Sequence, residues 1–324
     1  MKINYLEILK NAWKITWENR YLWWFGLFIA LSGGGGMNYF SQNEKWGKSS
    51  SIKGEQVTNF IFQNIYWIAT LLIIIFLLLI LFLVIGIIGR GALIASIEKN
   101  SKRKASDFRT GWKEGKKNFW KIFNLNIALG IFIFFTLAVL VSPVTILMLN
   151  GNYIIGGILT FLAVLIFIPL AILVSYLKTY SYLYAILGKL KFWPALENAY
   201  KLFARNILSS ILMSLIFIPI SILIFLTVFV SLLVLLFIFL ISGGISYLIF
   251  GKILAIIVGG IGVAIFLAYL LFIRSVYEVF SQSVWILFFR EIASPKIPEA
   301  VPEKEKEIET MIKPLPVIES KKEN

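Results

Sequence analysis

The 324-residue sequence contains no cysteine and no histidine. Without cysteine there can be no disulfide bond, thiol nucleophile or thiolate metal site, and without histidine the most versatile acid-base and metal-binding side chain is missing. Charged residues are also scarce, at 15% of the chain. Because most enzyme active sites and metal centres are built from these side chains, we expect neither a reaction nor a cofactor.

Hydrophobic residues make up 59% of the chain, whereas soluble domains contain about 45–50%. One soluble core cannot hide so much apolar side chain, so the composition predicts an all-α integral membrane protein. The net charge of +14 does not indicate nucleic acid as a partner, because the basic residues flank apolar runs in short clusters and do not cover one soluble face. Anionic lipid headgroups explain these clusters better.

The segment from Arg90 to Lys121 decides the predicted topology. It holds ten Lys and Arg against three carboxylates, and it lies between two long apolar runs. Short loops rich in Lys and Arg stay on the cytoplasmic side of a membrane, so we predict that this loop is cytoplasmic. With the other loops assigned from it, 27 of the 31 Lys and Arg lie inside and 4 lie outside. The pattern predicts a multi-pass protein of a prokaryotic cell membrane with both termini cytoplasmic.

Uncharged apolar runs predict about six transmembrane helices. The first, residues 21–31 with their flanks, is barely long enough, because a bilayer requires about 17–25 helical residues. The other five are assigned from the remaining runs: one within 56–89, a hairpin within 122–177 that turns at 150–152, one at 206–241, a turn at 242–244, and one at 253–273. The run ending at 241 would exceed ~50 Å as one straight helix. It must therefore tilt, protrude or break near Pro219.

Residues 294–324 have a different composition from the rest of the chain. They contain five of the nine prolines and seven Glu against six Lys. This composition predicts a disordered cytoplasmic tail, which leaves residues 1–293 as the polytopic membrane domain. The opening residues alternate charged and apolar side chains and lack the apolar core of a signal peptide, so we expect the mature chain to start near Met1.

Three segments share a pattern in which an aromatic residue is followed directly by lysine, with asparagine five residues after the lysine. The positions are Trp13, Lys14 and Asn19, then Trp112, Lys113 and Asn118, then Tyr200, Lys201 and Asn206. Each copy precedes a predicted hairpin, and the last two copies are 88 residues apart without a gap. The pattern predicts three repeated units of an interfacial helix plus a transmembrane hairpin, at about 3–99, 105–187 and 193–292. The alternative is that unrelated interfacial helices converge on this composition.

Several of these segments resemble a known family. They are LWWFGLF after an amphipathic helix, FRTGWK and ALENAYKLFARN before hairpins, and a final span ending in VWILFFRE. Over about residues 5–292 the chain resembles the membrane domain attached to some glycerophosphoryl diester phosphodiesterases, and related multi-pass prokaryotic proteins of unknown function. In that family the chemistry belongs to a separate soluble barrel that uses His, Glu and a divalent metal. This chain has no histidine and no such barrel, so the resemblance implies neither phosphodiesterase activity nor a catalytic residue.

Two hypotheses about function follow. The first is a non-enzymatic lipid-interacting scaffold or accessory protein, which the abundant interfacial aromatic and cationic residues favour. The second is a transporter or permease for a lipid or small amphiphilic molecule, which the repeated hairpins and the Pro and Gly within spans favour. No carboxylate lies in the first five spans, although ion-coupled carriers usually need one. The expected partners are anionic membrane lipids, and a protein partner or a homo-oligomer stays open.

Four residues are predicted to bind a headgroup. Arg90, Lys178 and Arg274 lie near the cytoplasmic ends of the second, fourth and sixth predicted spans, where they could form a basic ring or could each anchor their own helix. Glu278 follows Arg274 by four residues, so these two side chains share a helical face and should pair. That pair is either a headgroup clamp or an ordinary ion pair at a helix end.

Overall fold

The computed structural model describes residues 3–33, 62–102 and 106–293, and the regular structure in these ranges is helical. The helices are α1 (Tyr5–Glu18), α2 (Leu22–Leu31), α3 (Ile65–Ser101), α4 (Phe108–Lys117), α5 (Phe119–Leu149), α6 (Tyr153–Ile186), α7 (Phe192–Arg205), α8 (Ile207–Phe250) and α9 (Lys252–Ala293). The predicted tail at 294–324 and most of the loop between the first two predicted spans lie outside the described residues.

Five of these helices are long and apolar enough to cross a bilayer, namely α3, α5, α6, α8 and α9. They contain 31 to 44 residues each, which is about 47–66 Å at 1.5 Å per residue. The hydrocarbon core of a bilayer is about 30 Å thick. At most 17% of the most apolar window of each helix is buried inside the protein. The protein is therefore a multi-pass helical membrane protein.

The first predicted span corresponds to α2, which has 10 residues and is only about 15 Å long. Its C-terminal end packs on the C-terminal half of α3, because a Cβ atom added at Gly86 would lie 2.0 Å from Oγ of Ser32. Gly86 is 21 residues from Ile65, where α3 begins, so α2 ends about 32 Å short of the far end of α3. The described residues therefore show no crossing by α2, and the connecting residues 34–61 lie outside the described ranges.

The turn of the last hairpin is not where the sequence predicts it. Helix α8 continues through 242–244 and also through Pro219, and it ends at Gly251, which has a φ of 80°. Serine and glycine do not break a membrane helix when its backbone bonds are kept, and here the Ser246 hydroxyl donates to the carbonyl of Ser242 at 2.7 Å. Gly251 supplies the positive φ that the turn needs. By contrast, the predicted turn at 150–152 is confirmed, with Gly151 at a φ of 78°.

The buried hydrophobic side chains of the described residues lie in five segments, which we call the base: 3–33, 86–102, 106–129, 174–213 and 275–293. Because α5–α6 and α8–α9 turn back at 150–152 and at 251, these segments gather at the helix ends away from the turns. The rest of the long helices, which we call the arms, expose most of their large side chains. Three arms, α3, α5–α6 and α8–α9, thus extend from one packed base.

Two kinds of contact hold the base together. Helix α4 buries only Gly111 and Gly115, and it lies directly on α3, since a Cβ atom at Gly115 would be 2.3 Å from the carbonyl oxygen of Ile88. Helices α6 and α8 are joined by hydroxyl groups. The Tyr180 hydroxyl lies 2.7 Å from Oγ of Ser210.

Candidate functional site

A cleft of about 320 Å³ opens where the base meets the arms, between the end of α2 and the helices α3, α5 and α6. Its lining is divided between polar and apolar residues: Ser32, Arg90, Asn126 and Lys178, and Leu83, Gly86, Ile87, Phe123 and Ile127. The structure thus brings together two of the predicted headgroup-binding residues, Arg90 and Lys178, which are 88 positions apart in the sequence.

Arg90 and Lys178 contact the same aromatic ring. The guanidinium carbon of Arg90 lies 5.5 Å from the ring centroid of Tyr182, and Nζ of Lys178 lies 6.0 Å from it. The negative face of an aromatic ring attracts a cation within about 6 Å. Because Tyr182 is only 2% exposed, its ring is a fixed platform that holds both cations at the cleft.

Tyr182 also orients Asn126. Its hydroxyl donates a hydrogen bond to Oδ1 of Asn126. An amide has one acceptor oxygen and an NH₂ group with two donors. Since the oxygen is engaged by Tyr182, Asn126 has its NH₂ group to offer to a ligand in the cleft. The polar end of the cleft therefore presents a guanidinium, an ammonium and an amide donor.

Local hydrogen bonds hold the walls of the cleft in place. Nζ of Lys121 donates to the carbonyl oxygen of Ala185 at 3.2 Å, which ties the start of α5 to the end of α6. The Ser32 hydroxyl donates to the carbonyl oxygen of Ile29 at 2.8 Å and closes the end of α2. These bonds keep the elements that bear Lys178, Asn126 and Ser32 in register.

Arg274 and Glu278 form an ion pair on α9, with 3.8 Å between Nη2 and Oε1. This confirms their predicted pairing. Neither residue is among those that line the cleft, so the cleft unites two of the three cations of the predicted ring. The 88-residue offset carries Lys178 to position 266, and Arg274 lies eight residues beyond it, about 12 Å along a helix.

The three asparagines of the interfacial pattern end three short helices in the same way. Asn19, Asn118 and Asn206 follow α1, α4 and α7, and Nδ2 of each donates to the carbonyl oxygen four residues earlier, at 2.9, 3.0 and 3.0 Å. The backbone N–H of each bonds to the same carbonyl. The last carbonyls of a helix have no partner within the helix, so these asparagines satisfy one of them where the chain turns into the next helix.

The aromatic positions of the pattern are less alike. Trp13 and Tyr200 are each 56% exposed, although Trp13 also contacts the ring of Phe280 edge-on at 6.0 Å. Trp112 is half-buried and packs against Phe28, with 5.4 Å between the ring centroids. Two of the three aromatic residues are therefore exposed, and the third helps to hold α4 against α2.

The lysines of the pattern are exposed. Lys14 and Lys201 each form an ion pair with a glutamate four residues away on the same helix, at 3.8 and 2.5 Å. Exposed pairs of this kind contribute little to stability. These lysines belong to the polar faces of their helices, and the structure does not bring them to the cleft.

Asp107 is the N-cap of α4 and lies outside the membrane-spanning segments. Oδ1 of Asp107 accepts a hydrogen bond from the backbone N–H of Thr110 at 3.0 Å. Hydrogen bonds from Thr110 favour the ionised carboxylate and hold the pKa of Asp107 below its usual value. The carboxylate thus caps the helix that carries Lys113 to the surface of the base.

Sequence reasoning missed Asn126, Tyr182 and Ser32 as lining or supporting residues of the cleft. Asn126 does carry a signal, because it is an amide side chain in an uncharged and mostly apolar run, and intramembrane polar residues are often functional. Tyr182 carries none, since tyrosine is common near membrane interfaces. Its role depends on its contact with Arg90, which lies on another helix, and on its contact with Lys178, which lies one turn earlier on the same helix.

Among the residues that the structure describes, no three Asp, Glu, His or Cys side chains are grouped so that they could hold a metal ion. No protein-family model matches the chain, and neither do any curated protein or solved structure. The resemblance to the membrane domain of glycerophosphoryl diester phosphodiesterases therefore stays a prediction.

Proposed function

We propose that this protein is a non-enzymatic, lipid-interacting scaffold or accessory protein of the membrane, and that the cleft holds the headgroup of an anionic phospholipid. The observation that carries the proposal is the pairing of Arg90 and Lys178 around Tyr182 in a cleft whose other lining residues are uncharged.

The polar end is suited to an anion. Arg90 and Lys178 are cations, and Asn126 offers its NH₂ group. No carboxylate is found among the described residues that line the cleft. Guanidinium and ammonium groups form their strongest hydrogen bonds with carboxylate or phosphate oxygens. A phosphate entering the cleft would therefore meet three sets of donors and no opposing negative charge.

The apolar wall favours a lipid over a free anion. Leu83, Ile87, Phe123 and Ile127 line the rest of the cleft. Ile127 is 44% exposed. A lipid whose phosphate reaches the cations would lay the start of an acyl chain along this wall in van der Waals contact, since lipid tails are as apolar as these side chains. Inorganic phosphate gains nothing from these residues.

The cations lie at the depth of headgroups. Arg90 is 25 residues after Ile65, the start of α3, and Lys178 is 25 residues after Tyr153, the start of α6. Each distance is about 38 Å along a helix, which lies between the ~30 Å of the hydrocarbon core and the ~40–45 Å of a whole bilayer. Both cations thus reach the level of lipid phosphates when the outer ends of α3 and α6 lie at the opposite interface.

We further propose that the base faces the cytoplasm and that the chain consists of three related units with six spans. The distribution of Lys and Arg supports the cytoplasmic base. The order of the helices supports the units. Each of the short helices α1, α4 and α7 ends at a capping asparagine and is followed by two apolar helices. A sixth crossing would have to involve residues 34–61, in addition to α2.

Retention of lipid by the purified protein tests the site. The protein and the variants Arg90→Gln and Lys178→Gln would be placed in nanodiscs of phosphatidylglycerol and phosphatidylcholine, and bound lipid would be counted by native mass spectrometry. We expect each substitution to lower phosphatidylglycerol retention about 10-fold, because a charge-assisted hydrogen bond contributes about 1.5–3 kcal/mol. Arg274→Gln is the matched control, since Arg274 is a cation near the same depth but outside the cleft, and it should change retention less than 2-fold.

Two results would contradict the site. One is equal retention of phosphatidylcholine and phosphatidylglycerol by the unchanged protein. The other is a loss with Arg274→Gln as large as the loss with Lys178→Gln, which would favour the basic ring. Liposomes that contain the protein and a fluorescent lipid would separate a scaffold from the alternative function. Movement of the lipid between leaflets faster than in empty liposomes would identify a transporter.

A further inference from the structure

Helix α8 is too long and too apolar for the membrane alone to cover it. It has 44 residues and no charged side chain, and it is about 66 Å long. Even at a tilt of 40°, the upper end of the usual range, a hydrocarbon core of about 30 Å covers only about 26 residues of a helix. About 18 residues of α8 must therefore lie outside the hydrocarbon core.

The neighbouring helix α9 indicates which end of α8 lies outside. Its only cations before the base half are Lys252 and Arg274, which are 22 residues and about 33 Å apart and so match the thickness of the hydrocarbon core. The helices are antiparallel, and Ser231 of α8 lies 2.7 Å from Tyr269 of α9, between their hydroxyl oxygens. In this register Arg274 lies opposite residue 226. Residues 207–226 therefore accompany the part of α9 that belongs to the base.

These 20 residues nevertheless keep an apolar outer face. Six large side chains on that face are 46–71% exposed, and we call them the α8 stripe: Leu208, Ile211, Leu215, Ile218, Ile222 and Phe225. The opposite face of the same segment is covered, with Ser210 and Met213 fully buried. Contiguous exposed apolar surface that the hydrocarbon core does not cover marks an interaction site.

The spacing of the α8 stripe fits a second helix. Its members alternate at intervals of three and four residues, so they occupy the a and d positions of a heptad over nearly three repeats. Copies of a membrane protein share one orientation, so a two-fold axis along the membrane normal places α8 beside α8 of a second copy, in parallel. We propose that the α8 stripe is a self-association surface, which pairs in parallel with the same stripe of a second copy of this chain.

Charge and area both favour a second copy. The stripe contains no charge, so symmetric pairing buries no like charges against each other. With its neighbours Leu212, Leu223 and Leu226, which are 40–67% exposed, it offers apolar area on the order of the ~800 Å² per partner that a stable interface buries. The chain's own tail, 294–324, carries thirteen charged residues and five prolines and fits an uncharged helical stripe poorly.

Cross-linking in a membrane tests the pairing, because the chain has no native cysteine. In a parallel pair, residues at an a position face each other within the ~4.4–6.8 Å between Cα atoms that a disulfide requires. We expect Leu215→Cys to give mostly cross-linked chains of twice the 36.9 kDa mass on mild oxidation in liposomes. Leu165→Cys is the matched control, since Leu165 on α6 is similarly exposed, at 58% against 55%, and it should give at least 5-fold less product.

A charge placed in the stripe gives an independent measurement. The mass of the protein in nanodiscs should fall from two or more chains to one in Ile218→Lys, with the helix content by circular dichroism unchanged. Tyr200→Lys, which places the same charge at an exposed site of α7, should keep the mass of the unchanged protein. A chain that ends at Ala293 should also keep it.

The proposal is overturned if the unchanged protein has the mass of one chain in nanodiscs, or if cross-linking of Leu215→Cys is no better than that of Leu165→Cys at high lipid dilution. Loss of association in the chain that ends at Ala293 would overturn it as well, because the tail and not a second stripe would then be responsible. Retention of two or more chains by Ile218→Lys would show that the copies meet elsewhere.

Discussion

The contact between α4 and α3 should fail if a single methyl group is added at Gly115. An alanine Cβ there would lie 2.3 Å from the carbonyl oxygen of Ile88 and 3.0 Å from the backbone nitrogen of Ala92. Both atoms belong to the backbone of α3, so neither can rotate away, and α4 must shift by about 1 Å to restore normal contact distances. Overpacking of this kind costs about 1–3 kcal/mol. A shift of the whole helix places Gly115→Ala toward the upper end of that range.

Gly130→Ala is the matched control for this substitution. Nothing lies within 4 Å of the Cβ position at Gly130, which is also within a helix. Replacing glycine by alanine inside a helix otherwise stabilises it by up to about 1 kcal/mol. Thermal unfolding in detergent, followed by circular dichroism, should therefore give Gly115→Ala a midpoint on the order of 5 °C below that of Gly130→Ala. Equal midpoints, or a higher one for Gly115→Ala, would refute the close packing of α4 on α3.

Two further predictions concern topology and the contact between α6 and α8. A membrane-impermeant maleimide should label Tyr153→Cys from outside the cell and Lys117→Cys only after permeabilisation. The reason is that Lys117 lies in the base, which is rich in Lys and Arg, whereas Tyr153 lies at the far end of an arm. The opposite pattern of labelling would invert the orientation. In the second, the double-mutant cycle of Tyr180→Phe and Ser210→Ala should give a coupling energy of about 0.6–1.7 kcal/mol in detergent, since their hydroxyl oxygens lie 2.7 Å apart. A coupling indistinguishable from zero would mean that this bond does not join the two helices.

The sequence predicts the helices far better than their partners. Uncharged runs locate five long helices, and the turn at 150–152 is confirmed because Gly151 provides the positive φ that the chain needs there. The predicted turn at 242–244 is wrong, because serine and glycine permit a turn but do not require one. No charged residue interrupts the helix there, so it continues. The structure uses Gly251, directly before Lys252, where the apolar run ends.

The candidate cleft shows the same division. Arg90 and Lys178 could be selected from the sequence, because each is a lone cation at the end of an apolar run and the 88-residue offset relates them. That they share the ring of Tyr182, and that this tyrosine turns Asn126 toward the cleft, depends on contacts between α3, α5 and α6. Position along one helix does not reveal which turn of another helix it meets.

Local chemistry explains what the sequence determined by itself. Apolar length sets the spans, the charge of the loops sets the predicted sides, and asparagine ends α1, α4 and α7 through bonds to carbonyls four residues away. Tertiary structure decided that α2 stays at the base and that the outer face of α8 is left uncovered. The physical reason is that the arms are apolar on every side, so hydrophobic periodicity cannot indicate which side meets lipid and which meets protein. Only the packing of helices distant in sequence makes that choice.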